Sequence, residues 1–358
     1  MTTYYQRQDL RHYVCTDPET TYGVATAQAR HEGAAGREFM LARDVIAESI
    51  KRTGYNLCGG EFNSMATDEQ KDATAPISMF ATPDATGWML RQIFGGTGGY
   101  SVTGSGDPYT HENRPIQSPD YRPDSFSIVE GWKGGTEFYQ YRGGLISTAR
   151  IRGSIDGDKR IQIEATAEFA GERTLLAGFD PPSCVGEEVY RMPDAVLTFS
   201  TLTINAAGAV TATSAVTGLT MRSFEFSFDN KLETLDEAQR TGQYVTGRDR
   251  GDRTGAYRCR LSILGKKGDS VDTAFHAGTF VRVAIQIPNK TANRVWNITL
   301  LSGQIMSKSA GFSTSVGKTT HDFDIEGFRD RTSDTTQAQS PIYSTIQTST
   351  ASYETVAP

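Results

Sequence analysis

Apolar and polar residues alternate along the middle of the chain in short runs. Phe224, Phe226 and Phe228 alternate with Ser223, Glu225 and Ser227. Ile161, Ile163, Ala165, Ala167 and Phe169 alternate with Gln162, Glu164, Thr166 and Glu168. Val281, Val283, Ile285 and Ile287 alternate with Arg282, Ala284 and Gln286. Successive side chains of a strand point to opposite faces, so a period of two predicts strands with one buried face. Helical spacing is rarer. Thr82-Pro83-Asp84 opens one helix with proline in the first turn, and Trp88, Met89, Gln92 and Ile93 carry it to a stop at Gly95. A shorter helix is predicted from Asp269 to Ala277, ended by Gly278.

The order of these elements recurs. PISMFATPDATGWMLRQIFGG (76–96) and RCRLSILGKKGDSVDTAFHAG (258–278) have equal length, and each reads strand, turn, helix, glycine stop. Each is followed by a strand opening on Phe, at Phe126 and Phe280, and by nearly equal spans to Gly171 and Gly327. Each copy also opens with a strand and a long polar loop, over 53–75 and 229–255. This divides the chain into an N-terminal arm (1–35), a first copy (36–175), a linker (176–200) containing Pro181-Pro182, a second copy (201–332) and a Ser/Thr-rich C-terminal arm (333–358). The first copy carries an extra loop over 95–124, rich in Gly, Pro and Tyr. The plainer reading is that any two β-domains with one helix share this outline.

Composition narrows the class. A length of 358 residues fits about two or three domains, and 37% hydrophobic residues suffice for real cores. With 22% charged residues the chain is no disordered polyelectrolyte. Abundant Gly with Val, Ile, Thr, Phe and Tyr favours short strands and tight turns. The net charge of −6 argues against a protein that grips nucleic acid by neutralising phosphates. Cys15, Cys58, Cys184 and Cys259 are too dispersed for a disulfide-stapled module or a CxxC site, and read as reduced, buried thiols. The polar start, MTTYYQRQDLRHY, has no apolar signal region, and no window approaches a membrane span.

Motifs for chemistry fail on spacing. Gly317-Lys318-Thr319 lacks the earlier glycine of a phosphate-binding loop, where Phe312 stands, and a strand pattern follows it. GGTGG at 95–99 follows a helix, not a strand, and reads as a turn. His12, His31, His111, His276 and His321 are scattered, without metal-site spacing. Asp229 and Asp156-Gly157-Asp158 invite calcium but lack EF-hand spacing, so turn chemistry is preferred. The reading is no enzyme, no metal and no cofactor.

One pattern has a physical consequence. Glu164 and Glu168 lie on the polar face of the first copy's last strand. Asp322, Asp324 and Glu326 hold that face in the second copy, opposite Phe323 and Ile325. Were these strands to line a pore, an acidic wall would repel phosphate and let DNA slide past. The alternative is an ordinary solvated sheet face.

Several segments resemble the tail tube proteins of long-tailed bacteriophages. ETTYGVATA (19–27) is similar to the family's opening arm, and GLTMRSFEFSFDNKLE (218–233) to its first core strand, where Phe/Ser alternation ends in Asp-Asn. YRGGLISTARIRGSIDGDKRIQIEATAEFAG (141–171) resembles a late hairpin of the fold, and SGQIMSKSAGFSTSVGKTTHDFDIEGF (302–328) its second occurrence. The resemblance implies a mainly β fold: duplicated β-sandwich or half-barrel domains, each flanked by a short helix. It implies homo-oligomeric rings, either trimeric and pseudo-hexameric or hexameric, stacked into a hollow tube. The implied partners are the tape measure protein, the tail terminator and the baseplate or distal tail proteins. Double-stranded DNA would pass non-specifically, and no membrane is involved. The subunit would assemble in the host cytoplasm and end in the virion. The long loops resemble the arm that reaches the adjacent ring, with Glu233, Asp236, Glu237, Arg248, Asp249 and Arg250 as candidate inter-ring residues. The rivals are an outward-facing decoration or adhesion module and a β-sandwich hydrolase with dispersed catalytic residues.

Overall fold

The computed structural model describes residues 10–15, 36–39, 47–55, 65–94, 99–115, 124–132, 137–170, 173–176, 188–205, 210–234, 240–241, 244–245, 248–250, 255–264, 270–289, 294–313, 318–328 and 340–349. The first half holds β1 (Leu10–Cys15), β2 (Gly36–Phe39), β3 (Ala47–Tyr55), β4 (Met65–Phe80), α1 (Pro83–Phe94), β5 (Tyr100–Thr103), β6 (Tyr109–Asn113), β7 (Phe126–Trp132), β8 (Phe138–Ser154), β9 (Gln162–Phe169) and β10 (Arg173–Leu176). A 3-10 turn (Met192–Asp194) leads into β11 (Val196–Ile204), β12 (Val210–Val216) and β13 (Thr220–Asp229). Four short strands follow: β14 (Leu232–Thr234), β15 (Arg240–Thr241), β16 (Tyr244–Val245) and β17 (Arg248–Arg250). The chain continues through β18 (Tyr257–Leu264), α2 (Ser270–His276), β19 (Phe280–Asn289), β20 (Arg294–Ser313), β21 (Lys318–Gly327) and β22 (Ile342–Thr348).

The protein is mainly β, and among the described residues one large sheet holds every strand but the β14–β17 pair. Among the described residues pairing is antiparallel, save for one parallel contact of Tyr244 with Lys71. Across the first half the pairing order is β3-β4-β9-β8-β7. Across the second it is β13-β18-β21-β20-β19. The two series join where β8 pairs with β13. The register shifts at matching places, between Ile146 and Thr148 in β8 and between Ile305 and Ser307 in β20. An extra residue there, Ser147 or Met306, kinks the strand. Just before each shift stands a glycine that packing requires. A Cβ on Gly144 would lie 2.9 Å from the Phe126 carbonyl, and one on Gly303 3.0 Å from the Glu326 carbonyl.

The alternating runs occupy β13, β9 and β19, and their apolar members enter one core. That core runs through both halves, from Ile151 and Ile163 to Phe224, Phe226, Leu261, Phe323 and Ile325. Both helices lie on the apolar side of the sheet. Trp88 and Phe94 of α1 meet Phe126 and Phe228 edge-on at 5.2 and 5.3 Å. On α2, Val271 and Ala274 are buried, and Asp272 pairs with Lys308, which lies opposite Phe323. The asparagine of the Asp-Asn pair has a structural role. Asn230 is buried, and its Nδ2 donates to the carbonyls of Ile93 (3.0 Å) and Ile146 (2.8 Å), tying α1 and β8 to the end of β13.

Several segments read as arm, loop or linker hold strands. The C-terminal arm contains β22, which is inserted between β20 and β6 of its own chain. Ile342, Ser344, Ile346 and Thr348 are buried there, so period-two patterning underlies the Ser/Thr-rich composition. Within the N-terminal arm, β1 pairs with β7 and β2. Much of the loop expected over 53–75 belongs to β4, and the loop over 95–124 contains the β5–β6 hairpin. The linker passes into β11 at Val196, and its Tyr190 bonds the backbone of Ala81 and Ile161. Finally, Thr74 and Arg258 hold the same place in the two pairing orders, opposite Glu168 and Glu326, which is two residues away from the equal-length match of 76–96 with 258–278.

Candidate functional site

The face opposite the helices is polar and crosses the junction of the halves in continuous rungs. One rung runs Gln162–Arg152–Glu225–Arg260–Asp324–Ser307. The next runs Glu164–Arg150–Ser227–Arg258–Glu326–Gln304. A third consists of Ser154, Ser223, Ser262, Asp322 and Ser309. Directly opposed residues on antiparallel strands lie close enough for opposite charges to attract. Arg152 reaches Glu164 at 2.8 Å, and Arg258 reaches Asp324 at 3.6 Å and Glu326 at 3.4 Å. Glu225 lies between Arg150 and Arg260 at 3.6 and 3.9 Å. These pairs are partly exposed, so each contributes at most about 1 kcal/mol. Their larger effect is to cancel one another's fields.

The structure brings Glu164, Asp322, Asp324 and Glu326 together on this face, and Glu168 sits on the same side of β9, opposite Leu145 and Thr74. It also sets arginines among the expected carboxylates. Arg150, Arg152, Arg258 and Arg260 stand between the carboxylates and offset part of their charge, while Glu164, Glu168, Glu225, Asp322, Asp324 and Glu326 leave the face with an acidic excess. The missed signal was present in ARIRGS and YRCRLS, where arginines alternate with Ile151 and Cys259. An open depression of about 760 Å³ lies here, bounded by Arg152, Gln162, Glu225, Arg260, Asp322 and Asp324.

The other candidates separate. At the β8–β9 turn, Asp156 accepts from Arg222 at 2.6 Å. Arg160 beside Asp158 holds that carboxyl below its usual range. Asp229 Oδ1 accepts from the Lys231 amide at 2.9 Å, where Lys231 takes φ +48°. That is turn chemistry. Buried His111 bonds the Tyr100 hydroxyl at 2.7 Å and Thr348 at 2.8 Å, while His276 lies on the surface 3.5 Å from Asp272. Among the described residues, no group of His, Cys, Asp and Glu is arranged to hold a metal ion, and no helix is long and apolar enough to cross a membrane. Cys259 is a buried free thiol. Burial, followed by the nearby Asp324 and Glu225 charges, pushes its pKa far up.

Among the inter-ring candidates, Glu233 lies opposite Asp249, and Arg248 and Arg250 lie opposite Thr234 and Leu232. Asp236 and Glu237 lie outside the described residues. No protein-family model matches the chain, and no curated protein matches it.

Proposed function

We propose that this chain is the subunit of a hollow tube, the tail tube of a long-tailed bacteriophage, and acts as a structural protein, not an enzyme. One observation carries the reading: a single sheet runs through two halves of identical strand order, joined edge to edge at β8–β13. On this reading the halves are duplicated tube domains, each a half-barrel with its helix on the outer side. The rungs of Arg150, Arg152, Glu225, Arg258, Arg260 and Asp324 face the lumen.

A wall with no free positive charge suits a conduit. A basic wall would bind DNA by releasing counterions from its phosphates. A wall whose arginines are already paired with Glu164, Glu225, Asp324 and Glu326 offers phosphate little. Three chains would supply six such domains to a ring, and rings would stack through the β14–β17 region. The tape measure protein, the terminator and the distal tail proteins would meet the tube's interior and ends, and the assembled subunit would reside in the virion.

Sedimentation of the purified chain over rising concentration tests this. Growth through a closed ring to long polymers is the expected course. A monomer at every concentration, with and without added tube ends as nuclei, would contradict it and favour an outward-facing module.

A further inference from the structure

The open edges of the sheet indicate how one chain meets the next. β8 and β20 hold the same place in the repeated order. In β8, residues 148–152 are flanked on both sides, by β9 and by β13. In β20, residues 307–313 are flanked by β21 on one side. Among the described residues, no strand covers the other side. The matching register shifts make Ser307 the counterpart of Thr148, and Ser309 that of Arg150. The difference extends to burial. Ala149 and Ile151 are buried, while their counterparts Lys308 and Ala310 are half-buried and exposed. The first half has the complementary gap. β13 is flanked by β18 and β8, but β3 pairs only with β4 among the described residues.

We propose that the start of β3 (Ala47–Ser49) of a second copy of this chain pairs with Ser307–Ser309 on the bare edge of β20, in the register that β13 takes on β8. This rests on the tube reading and names its chain-to-chain contact. The internal junction supplies the register. Ala47 lies opposite Thr74 as Ser227 lies opposite Arg258, so Ala47 is the counterpart of Ser227. Ser227 lies opposite Arg150, the counterpart of Ser309. The contact therefore places Ala47 opposite Ser309, Ser49 opposite Ser307, and Glu48 opposite Lys308, a pairing of opposite charges. An unpaired edge exposes a row of backbone donors and acceptors that another strand can satisfy. Using two different edges makes the contact head-to-tail, and such a contact closes into a ring when the rotation allows. The polar rungs would then continue from chain to chain.

Cysteines on directly opposed strands come near disulfide reach, so the register can be tested by cross-linking. The full-length Ala47→Cys/Ser309→Cys variant is oxidised at concentrations that support assembly and run on a non-reducing gel. Arg150→Cys/Ser227→Cys, the same rung within one chain, is the positive control. The double variant should give covalent multimers. Each single variant should remain monomeric, and an equal mixture of the singles should stop at dimers. Absence of multimers, or a bond formed only within one chain, overturns the contact. Microscopy of the same samples separates the two claims. Tubes without cross-links refute this edge and leave the tube reading standing, whereas cross-linked rings that never stack retain the edge and refute the tube.

Discussion

Cys259 shows how one position can serve two faces. It lies in β18 between Arg258 and Arg260, which point to the polar face while its own side chain enters the core. Burial disfavours the thiolate, and Asp324 and Glu225 disfavour it further. Since only the thiolate alkylates readily, Cys259 should resist iodoacetamide at pH 8.5 in the native protein and react fully in denaturant; peptide mapping by mass spectrometry reads this. Modification at the rate of a free thiol would contradict the assigned burial. The inward side of this strand was legible in the sequence, because Cys259, Leu261 and Ile263 alternate with polar residues. The partners of its arginines were not. Which acid meets Arg258 depends on the pairing of β18 with β21, a long-range register that no local pattern contains.

At the level of elements, strands with one wet face and one dry face announced themselves, and so did α1, with proline at its first position. β22 and β4 did not. β22 buries two serine/threonine hydroxyls beside its isoleucines, so its composition resembles that of a disordered tail. The first part of β4, MATDEQKD, has no apolar period at all, and its pairing with β3 defines the strand. Equivalent strands should share equivalent weaknesses. Gly144→Ala and Gly303→Ala each force a methyl against a backbone carbonyl at the kink of β8 or β20. Both should destabilise by about 1–3 kcal/mol in urea titration, as overpacking does. A loss confined to one of the two would contradict the equivalence of the kinks.

For the whole molecule, charge placement and edge placement belong together. The rungs pair Arg150, Arg152, Arg258 and Arg260 with Glu164, Glu225, Asp324 and Glu326, and Asp322 and Glu168 leave the face with an acidic excess. The wild-type protein should therefore show no retention of double-stranded DNA at 0.15 M salt. A variant with Asp322, Asp324 and Glu326 all changed to Lys should bind it, with an affinity that falls steeply as salt rises. Equal binding by both proteins would remove the case for a wall whose arginines are held by carboxylates. The central claim, that this chain closes into rings and stacks, is tested most directly by negative-stain electron microscopy of the purified protein at high concentration. Hollow tubes whose end views show three-fold symmetry, with two lobes per chain, are the predicted result. Solid filaments, or isolated particles even when nuclei are supplied, would contradict the account.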